Sequence, residues 1–179
     1  MKHLYKFVAV VLVVGLAGCA TPLEGIYAPI DASGWKVAYA KDVPGKGNIV
    51  ERIPSGESLN NWSKMVTIQF MEGEQRTPSV FMDGLKGQMT QRCPKVEWAV
   101  VESSNTSILY EWTIKNCPGQ QDQHEVSRLL RGNDGLHRIA YVEKVSQLSK
   151  ETRERWTANL KSAYLVKGGP NSPVVLKSN

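Results

Sequence analysis

Two histidines, His124 and His137, have the type and placement that best suit metal binding in this chain. They stand on either side of the segment GNDG at 132–135, whose residues tolerate the positive φ of a hairpin turn. If the strands pair symmetrically about that turn, the two imidazoles approach each other and suit a metal ion or a pH-sensitive patch. The alternative is an ordinary half-exposed strand histidine, because no third ligand has suitable spacing, although Asp122 and Glu125 are near in sequence.

Sequence signals of catalysis are absent. The chain has no GxSxG, SxxK or HExxH motif and no phosphate-binding loop, and nucleophilic catalysis needs a Ser or Cys activated by a base. The carboxylates Glu72 and Glu74 are close in sequence, but nothing places them in an apolar cleft. The sequence therefore predicts a protein that is not an enzyme and that needs no cofactor.

Four other side chains are candidates for binding a partner. Trp62 precedes a strand in a polar setting, and an exposed Trp is a common anchor in protein interfaces. Arg128, Arg131 and Arg138 lie in one predicted hairpin and could form a basic face for an acidic partner. The alternatives are packing at the sheet edge for the Trp and a solvated sheet face for the arginines.

The first nineteen residues have the pattern of a secretory signal. Lys2 and Lys6 precede an apolar run at 7–16 that is too short to span a bilayer as a helix, and small residues lead up to Cys19. The segment Leu16-Ala17-Gly18-Cys19 resembles the bacterial lipobox. That resemblance implies cleavage after residue 18 and lipidation of Cys19, and the attached acyl chains would suffice for stable membrane anchoring.

The residue after the lipobox cysteine bears on the membrane chosen. Position 20 is Ala rather than the Asp that favours inner-membrane retention in enterobacteria-like systems, so transport to the outer membrane with the domain in the periplasm is expected. Removal of the first 18 of 179 residues leaves 161, and the loss of Lys2 and Lys6 lowers the formal net charge from +5 to +3. This mild, dispersed surplus does not favour a nucleic-acid partner.

With Cys19 assigned to lipid, two cysteines remain. Cys93 and Cys117 are each followed by Pro, which places both where elements end. An exported chain with two cysteines usually pairs them, and no CxxC or His-rich neighbourhood supports a metal site instead. We expect a Cys93–Cys117 disulfide.

The pattern along the rest of the chain predicts a single α+β domain. Residues 19–34 are predicted to be a flexible tether and residues 168–179 a disordered tail, with the globular domain at 35–167. A Thr77 cap followed by Pro78 starts a helix that runs to about 92, and Ser149 starts a second that runs to about 166. Alternating residues predict strands at 35–40, 63–71, 96–100, 108–114, 124–131 and 136–145, with a short one at 49–53.

Adjacent strands in this order favour a mostly antiparallel sheet of about six strands packed with two helices. The element order and a terminal helix that carries Trp156 resemble the PsbP-like α/β/α sandwich of small envelope lipoproteins. The expected function is a noncatalytic protein-binding module on the outer membrane, as part of an envelope machine or as an inhibitor of a toxin or enzyme. The alternative is a carrier or sensor of a small ligand such as a lipid, a peptide or a metal.

Overall fold

The computed structural model describes residues 24–167 and 174–177 of the chain, so the predicted signal peptide and Cys19 lie outside it. Among these residues, no helix combines the length and the apolar character needed to cross a membrane. The chain forms ten strands and two helices over this range: β1 Glu24–Asp31, β2 Trp35–Val43, β3 Gly47–Pro54, β4 Lys64–Glu72, α1 Pro78–Arg92, β5 Glu97–Ser103, β6 Ser107–Ile114, β7 Gln123–Arg131, β8 Gly135–Glu143, α2 Lys150–Lys161, β9 Tyr164–Lys167 and β10 Val174–Lys177.

Seven of the strands form one antiparallel sheet in the order β2-β3-β4-β8-β7-β6-β5. Most neighbours are joined by short turns, whereas α1 carries the chain from β4 in the middle of the sheet to the β5 edge. Three strands form a second, smaller sheet, in which β1 pairs antiparallel with β9 and parallel with β10. The predicted α+β class with two helices and a mostly antiparallel sheet is confirmed.

The large sheet is covered on both faces. Successive strand residues point to opposite sides, so Leu109 packs under α2 and β1, while its neighbour Ile108 packs under α1. The α2 face buries residues of β4, β6, β7 and β8 against Ile26, Trp156 and Leu160. The α1 face buries a second cluster that includes Met82 and both described cysteines. The two helices therefore lie on opposite faces of the sheet.

Both helices begin where the sequence predicts. The Thr77 side chain accepts from the Val80 amide with Pro78 in the first turn, and the Ser149 hydroxyl accepts from the Thr152 amide. The end of the second helix differs from the prediction, because α2 stops at Lys161 rather than near residue 166. Residues from Tyr164 onwards leave the helix to pair with β1. Backbone pairing with a distant strand thus overrides a locally helical pattern.

The predicted tether and tail are in part structured, which corrects the predicted domain boundaries. Residues 24–31 form β1, in which Ile26, Ala28 and Ile30 are buried in the core under α2. Residues 174–177 form β10, paired with β1. Local periodicity could not show this, because β1 is held by strands that are far away in sequence.

Candidate binding site at the loop end of the domain

The structure does not bring the two candidate metal ligands together. In the register of the β7–β8 hairpin His124 faces Glu143, whereas His137 faces Leu130, six positions further along β7. At about 3.4 Å per residue the two side chains are about 20 Å apart. No group of three or more potential ligands stands close together in residues 24–167 and 174–177. The predicted metal pair is therefore wrong.

Each histidine instead packs inside the domain. Nδ1 of His124 accepts from the Leu148 amide at 3.0 Å, and its Nε2 lies 3.4 Å from a Glu111 oxygen. His137 stacks on Phe70 with ring centroids 4.6 Å apart. Burial lowers the pKa of both histidines, because it disfavours the charged imidazolium.

The three candidate arginines do not form one basic face, because each guanidinium is engaged inside the domain. Arg128 lies on the α2 face and donates to the carbonyl oxygens of Leu160, at 2.9 Å, and Lys161. These carbonyls end α2 and have no partner within the helix, so Arg128 caps it. Arg131, on the α1 face, donates to the carbonyl oxygens of Glu74 and Arg76 in the loop before α1.

Arg138 forms a buried ion pair under the α1 side of the sheet. Its Nη2 donates to Glu125 Oε1 at 2.6 Å, and the side chains are 16% and 7% exposed. The same carboxylate oxygen accepts from Trp112 Nε1 at 3.0 Å and from the Ser127 hydroxyl. The pKa of Arg138 is raised, since the attraction of Glu125 outweighs the burial that would lower it. This network organises the core and offers no charge to a partner.

Cys93 and Cys117 are both buried free thiols, so the predicted disulfide is absent from the structure. The adjacent Cys93 thiol, together with burial, raises the pKa of Cys117 to about 11. Cys117 also lies 3.6 Å from the Arg92 carbonyl oxygen. The pair therefore joins the end of α1 to the start of the β6–β7 loop, the two elements that the sequence predicts it to connect.

Trp62, by contrast, lies in an open pocket of about 560 Å³ that three loops form at one end of the sheet. The loop before β4 contributes residues 60–63, the β6–β7 loop contributes 116 and 120–122, and Lys144 follows β8. Five side-chain amides line this pocket, which we call the amide pocket: Asn60, Asn61, Asn116, Gln120 and Gln121. The Lys144 ammonium stands 4.2 Å from the centre of the Trp62 ring, a cation–π contact.

Hydrogen bonds hold the loops of the amide pocket in place. The Asn61 amide donates to the Ser58 carbonyl, and the Gln120 amide donates to the Cys117 carbonyl. Asn116 has a φ of 52°, in the left-handed region that Asn tolerates, and its amide donates to Asp122 Oδ1 at 2.8 Å. The backbone of the pocket is therefore largely preformed.

A second open pocket, of about 340 Å³, lies on the α2 face beside the start of β4. Trp35, Tyr141 and Trp156 form an aromatic cluster along it, in which Tyr141 stacks on Trp156 at 3.8 Å. Lys64 and Arg155 add positive charge at its rim. Trp156 Nε1 is buried and has no hydrogen-bond partner within the described residues. We call this the aromatic pocket.

Both pockets lie at the end of the domain opposite the start of β1. Glu24 accepts from the backbone amide and the side chain of Asn133 in the β7–β8 turn, where β4 also ends. The pockets flank the other end of β4, about 26 Å away for a nine-residue strand. We call the pocket-bearing end the loop end.

The sequence points to only one residue of the amide pocket, Trp62. The amides of the β6–β7 loop are missed, although the run Gln120-Gln121-Asp122-Gln123 after a Pro-Gly turn is a visible polar cluster. Comparison with known protein families, with characterised proteins and with solved structures finds no match for this chain. The argument for function therefore rests on these surfaces.

Proposed function

We propose that this chain is an outer-membrane lipoprotein, anchored through Cys19, whose periplasmic domain is a noncatalytic protein-binding module. The observation that carries the protein-binding part is the open edge of the large sheet at β5. The anchor rests on the lipobox. The kinship with PsbP-like sandwiches is part of the same proposal and is supported by helices on opposite sheet faces.

The β5 edge has the features of a strand-addition site. β5 pairs only with β6, so the backbone amides and carbonyls along its other side are open to a partner strand. Val100 and Val101 in this strand are 54% and 43% exposed, and Val80 at the start of α1 is 53% exposed. The Ser79 and Ser103 hydroxyls lie 3.4 Å apart and bring the start of α1 to this strand.

The opposite edge carries a protective charge that β5 lacks. β2 also exposes apolar residues, Val37 and Tyr39, but Lys36 and Lys41 lie in the same strand. Edge lysines deter pairing with other strands. β5 has neither Lys nor Pro between Glu97 and Ser103, and its two acids pair with Lys115 and Lys161. The partner that fits is therefore an extended protein segment with apolar side chains, added to β5.

Site-specific photo-cross-linking in living cells tests this proposal. A photoreactive residue at Val101 is expected to give one discrete adduct with an envelope protein, and one at Lys41 on the β2 edge should not. A Val100→Lys change in the same chain should abolish the adduct without changing the melting temperature, because Val100 is exposed. Absence of an adduct at Val101, the same adduct from both edges, or insensitivity to Val100→Lys would each overturn strand addition at β5.

The predicted disulfide is a separate proposal about the exported protein. Cys93 and Cys117 lie in one buried cluster, and exchange with an oxidising disulfide partner would remove their two protons and two electrons. Closing the loop would stabilise the domain by roughly 3–4 kcal/mol on the loop-entropy model. Peptide mass spectrometry of protein from the periplasm, alkylated before reduction, should find the linked Cys93 and Cys117 peptides. Two alkylated thiols would contradict the proposal.

A small-ligand binder is the second candidate, and the amide pocket is the observation that favours it. Its volume falls within the range of about 300–1,000 Å³ that is typical of ligand sites. The pocket is on a different part of the domain from the exposed valines of β5, so a protein partner and a small ligand do not exclude each other.

A further inference from the structure

We propose that the amide pocket binds a neutral saccharide. The inference goes beyond the proposed protein-binding role and uses a different surface, so that either can fail without the other.

The side chains of the amide pocket match the chemistry of sugar hydroxyls. A carboxamide carries both an acceptor oxygen and a donor NH2, and a sugar hydroxyl both donates and accepts. Five such amides line the pocket, and none of their side chains is hydrogen-bonded to another residue of the described part of the chain. Their donors and acceptors are therefore free for a ligand that is rich in hydroxyl or acetamido groups.

Trp62 supplies the apolar contact that a pyranose ring needs. The indole packs against the buried cluster of the α1 face and stays partly exposed at the pocket. A sugar ring has a face of C–H groups, and burial of that face against an aromatic side chain is favourable. An apolar platform beside convergent polar groups is the general composition of a small-molecule site.

The charge balance of the pocket favours a neutral ligand. Its only two charged side chains are Asp122 and Lys144, which have opposite signs. Asp122 already accepts from the Asn116 amide, and the Lys144 ammonium stands over the Trp62 ring. The aromatic pocket differs, because Lys64 and Arg155 give it two cations against the single acid Asp31.

The pocket is also rigid enough to bind hydroxyls without a large ordering cost. Besides the turns at 58–61 and 117–120, Ser63 donates from its amide and its hydroxyl to Glu57, at 2.7 and 2.6 Å. These bonds lower the pKa of Glu57, which keeps the carboxylate ionised at neutral pH. A preformed site loses less conformational entropy on binding.

Titration of the purified full-length protein with two neutral trisaccharides tests the proposal. The probes are the β-1,4-linked trimer of N-acetylglucosamine and maltotriose, with a heparin-derived trisaccharide as the anionic comparison, followed by calorimetry and by amide NMR shifts. At least one neutral probe should bind with a Kd of about 1 mM or tighter. Its shifts should fall on residues 60–63 and 116–122.

Three variants assign the binding to this pocket. Trp62→Ala should weaken the binding about tenfold or more, and so should the double change Gln120→Ala with Gln121→Ala, which removes exposed amides only and tests the site even if Trp62→Ala unfolds. Gln88→Ala, an exposed amide on α1, is the matched control and should bind like the parent protein. The proposal is overturned by no saturable binding of either neutral probe, by equal or tighter binding of the anionic one, or by variants that bind unchanged.

Discussion

At the scale of residues, the side chains that looked most available in the sequence are the most committed in the fold. Arg138 lies beneath the α1 side of the sheet against Glu125, and Arg128 caps α2. A buried guanidinium needs a charged partner, because the desolvation of an unpaired charge is very costly. The contribution of these residues to the protein is therefore structural.

We predict that Arg138→Met destabilises the domain strongly. The change removes the partner of Glu125 and leaves a buried carboxylate, so the free energy of unfolding should fall by about 3–5 kcal/mol. The matched control is Lys150→Met, which breaks the exposed pair with Glu154, whose side chains are 89% and 66% exposed. Urea unfolding should show no measurable effect for the control. Equal effects of the two changes would contradict the buried-pair interpretation.

We also predict a loss of stability in mild acid that depends on the two histidines. Burial lowers the pKa of both below the usual value of about 6.5, although Glu111 opposes the shift at His124 and Glu24 and Asp134 oppose it at His137. As the pH falls below about 6.5 the unfolded chain takes up protons first, so stability decreases until the folded-state pKa is reached and is unaffected by these groups above that window.

The matched variant for this acid effect is His137→Phe, which keeps a ring against Phe70. It should reduce the slope of unfolding free energy against pH by up to about 1.4 kcal/mol per pH unit below pH 6.5. Slopes should coincide between pH 7 and 8. An unchanged slope in the acid range would show that His137 is not held neutral by burial.

At the scale of elements, the small sheet completes the core. β1 covers the α2 face beside α2 itself, and Ile26 is only 1% exposed. β9 and β10 hold β1 in place through main-chain hydrogen bonds on its two sides. The segment that reads as a tether is therefore part of the folded unit.

We predict that Ile26→Ala lowers the free energy of unfolding by about 2–5 kcal/mol, as expected for truncation of a buried Ile. A flexible tether would give no change. The control is Val37→Ala on the edge strand β2, where the side chain is 49% exposed and the expected change is within about 0.5 kcal/mol. Chemical denaturation of both variants, under one set of conditions, decides between a strand and a tether.

At the scale of the whole molecule, the position of β1 orients the proposed binding surfaces. Cys19 precedes Glu24 by five residues, which reach at most about 18 Å when fully extended. A lipid at Cys19 would hold the β7–β8 turn near the membrane, because Glu24 binds Asn133 there. Both pockets at the loop end would then face away from the lipid surface, where they are open to the periplasm.

We predict that this anchoring depends on Cys19 and that its destination depends on Ala20. Cys19→Ser should abolish labelling by an alkyne fatty acid and release the protein from membranes, because the acyl chains supply the binding energy. In an enterobacterial host, Ala20→Asp should keep the label and move the protein to the inner-membrane fraction. Membrane association of Cys19→Ser without labelling would contradict the lipobox assignment.

The sequence by itself determined the elements that depend on neighbours along the chain. The starts of both helices follow from Thr77 and Ser149, whose side chains satisfy amides within one turn. The main strands follow from alternation that matches the period of a pleated strand. The α+β class follows from their order. Trp62 was the one predicted site residue that the structure placed in a pocket.

Only the tertiary structure decided what depends on residues far apart in the chain. The register of β7 against β8 separates His124 from His137, and pairing with β1 turns residues 164–167 from helix to strand. Burial under α1 commits Arg138 to Glu125. The amide pocket exists because the loop at 60–63 meets the loop at 116–122 across the ends of β4 and β8. Local patterns carry no information about these contacts, because strand register and loop convergence are set by packing of the whole sheet.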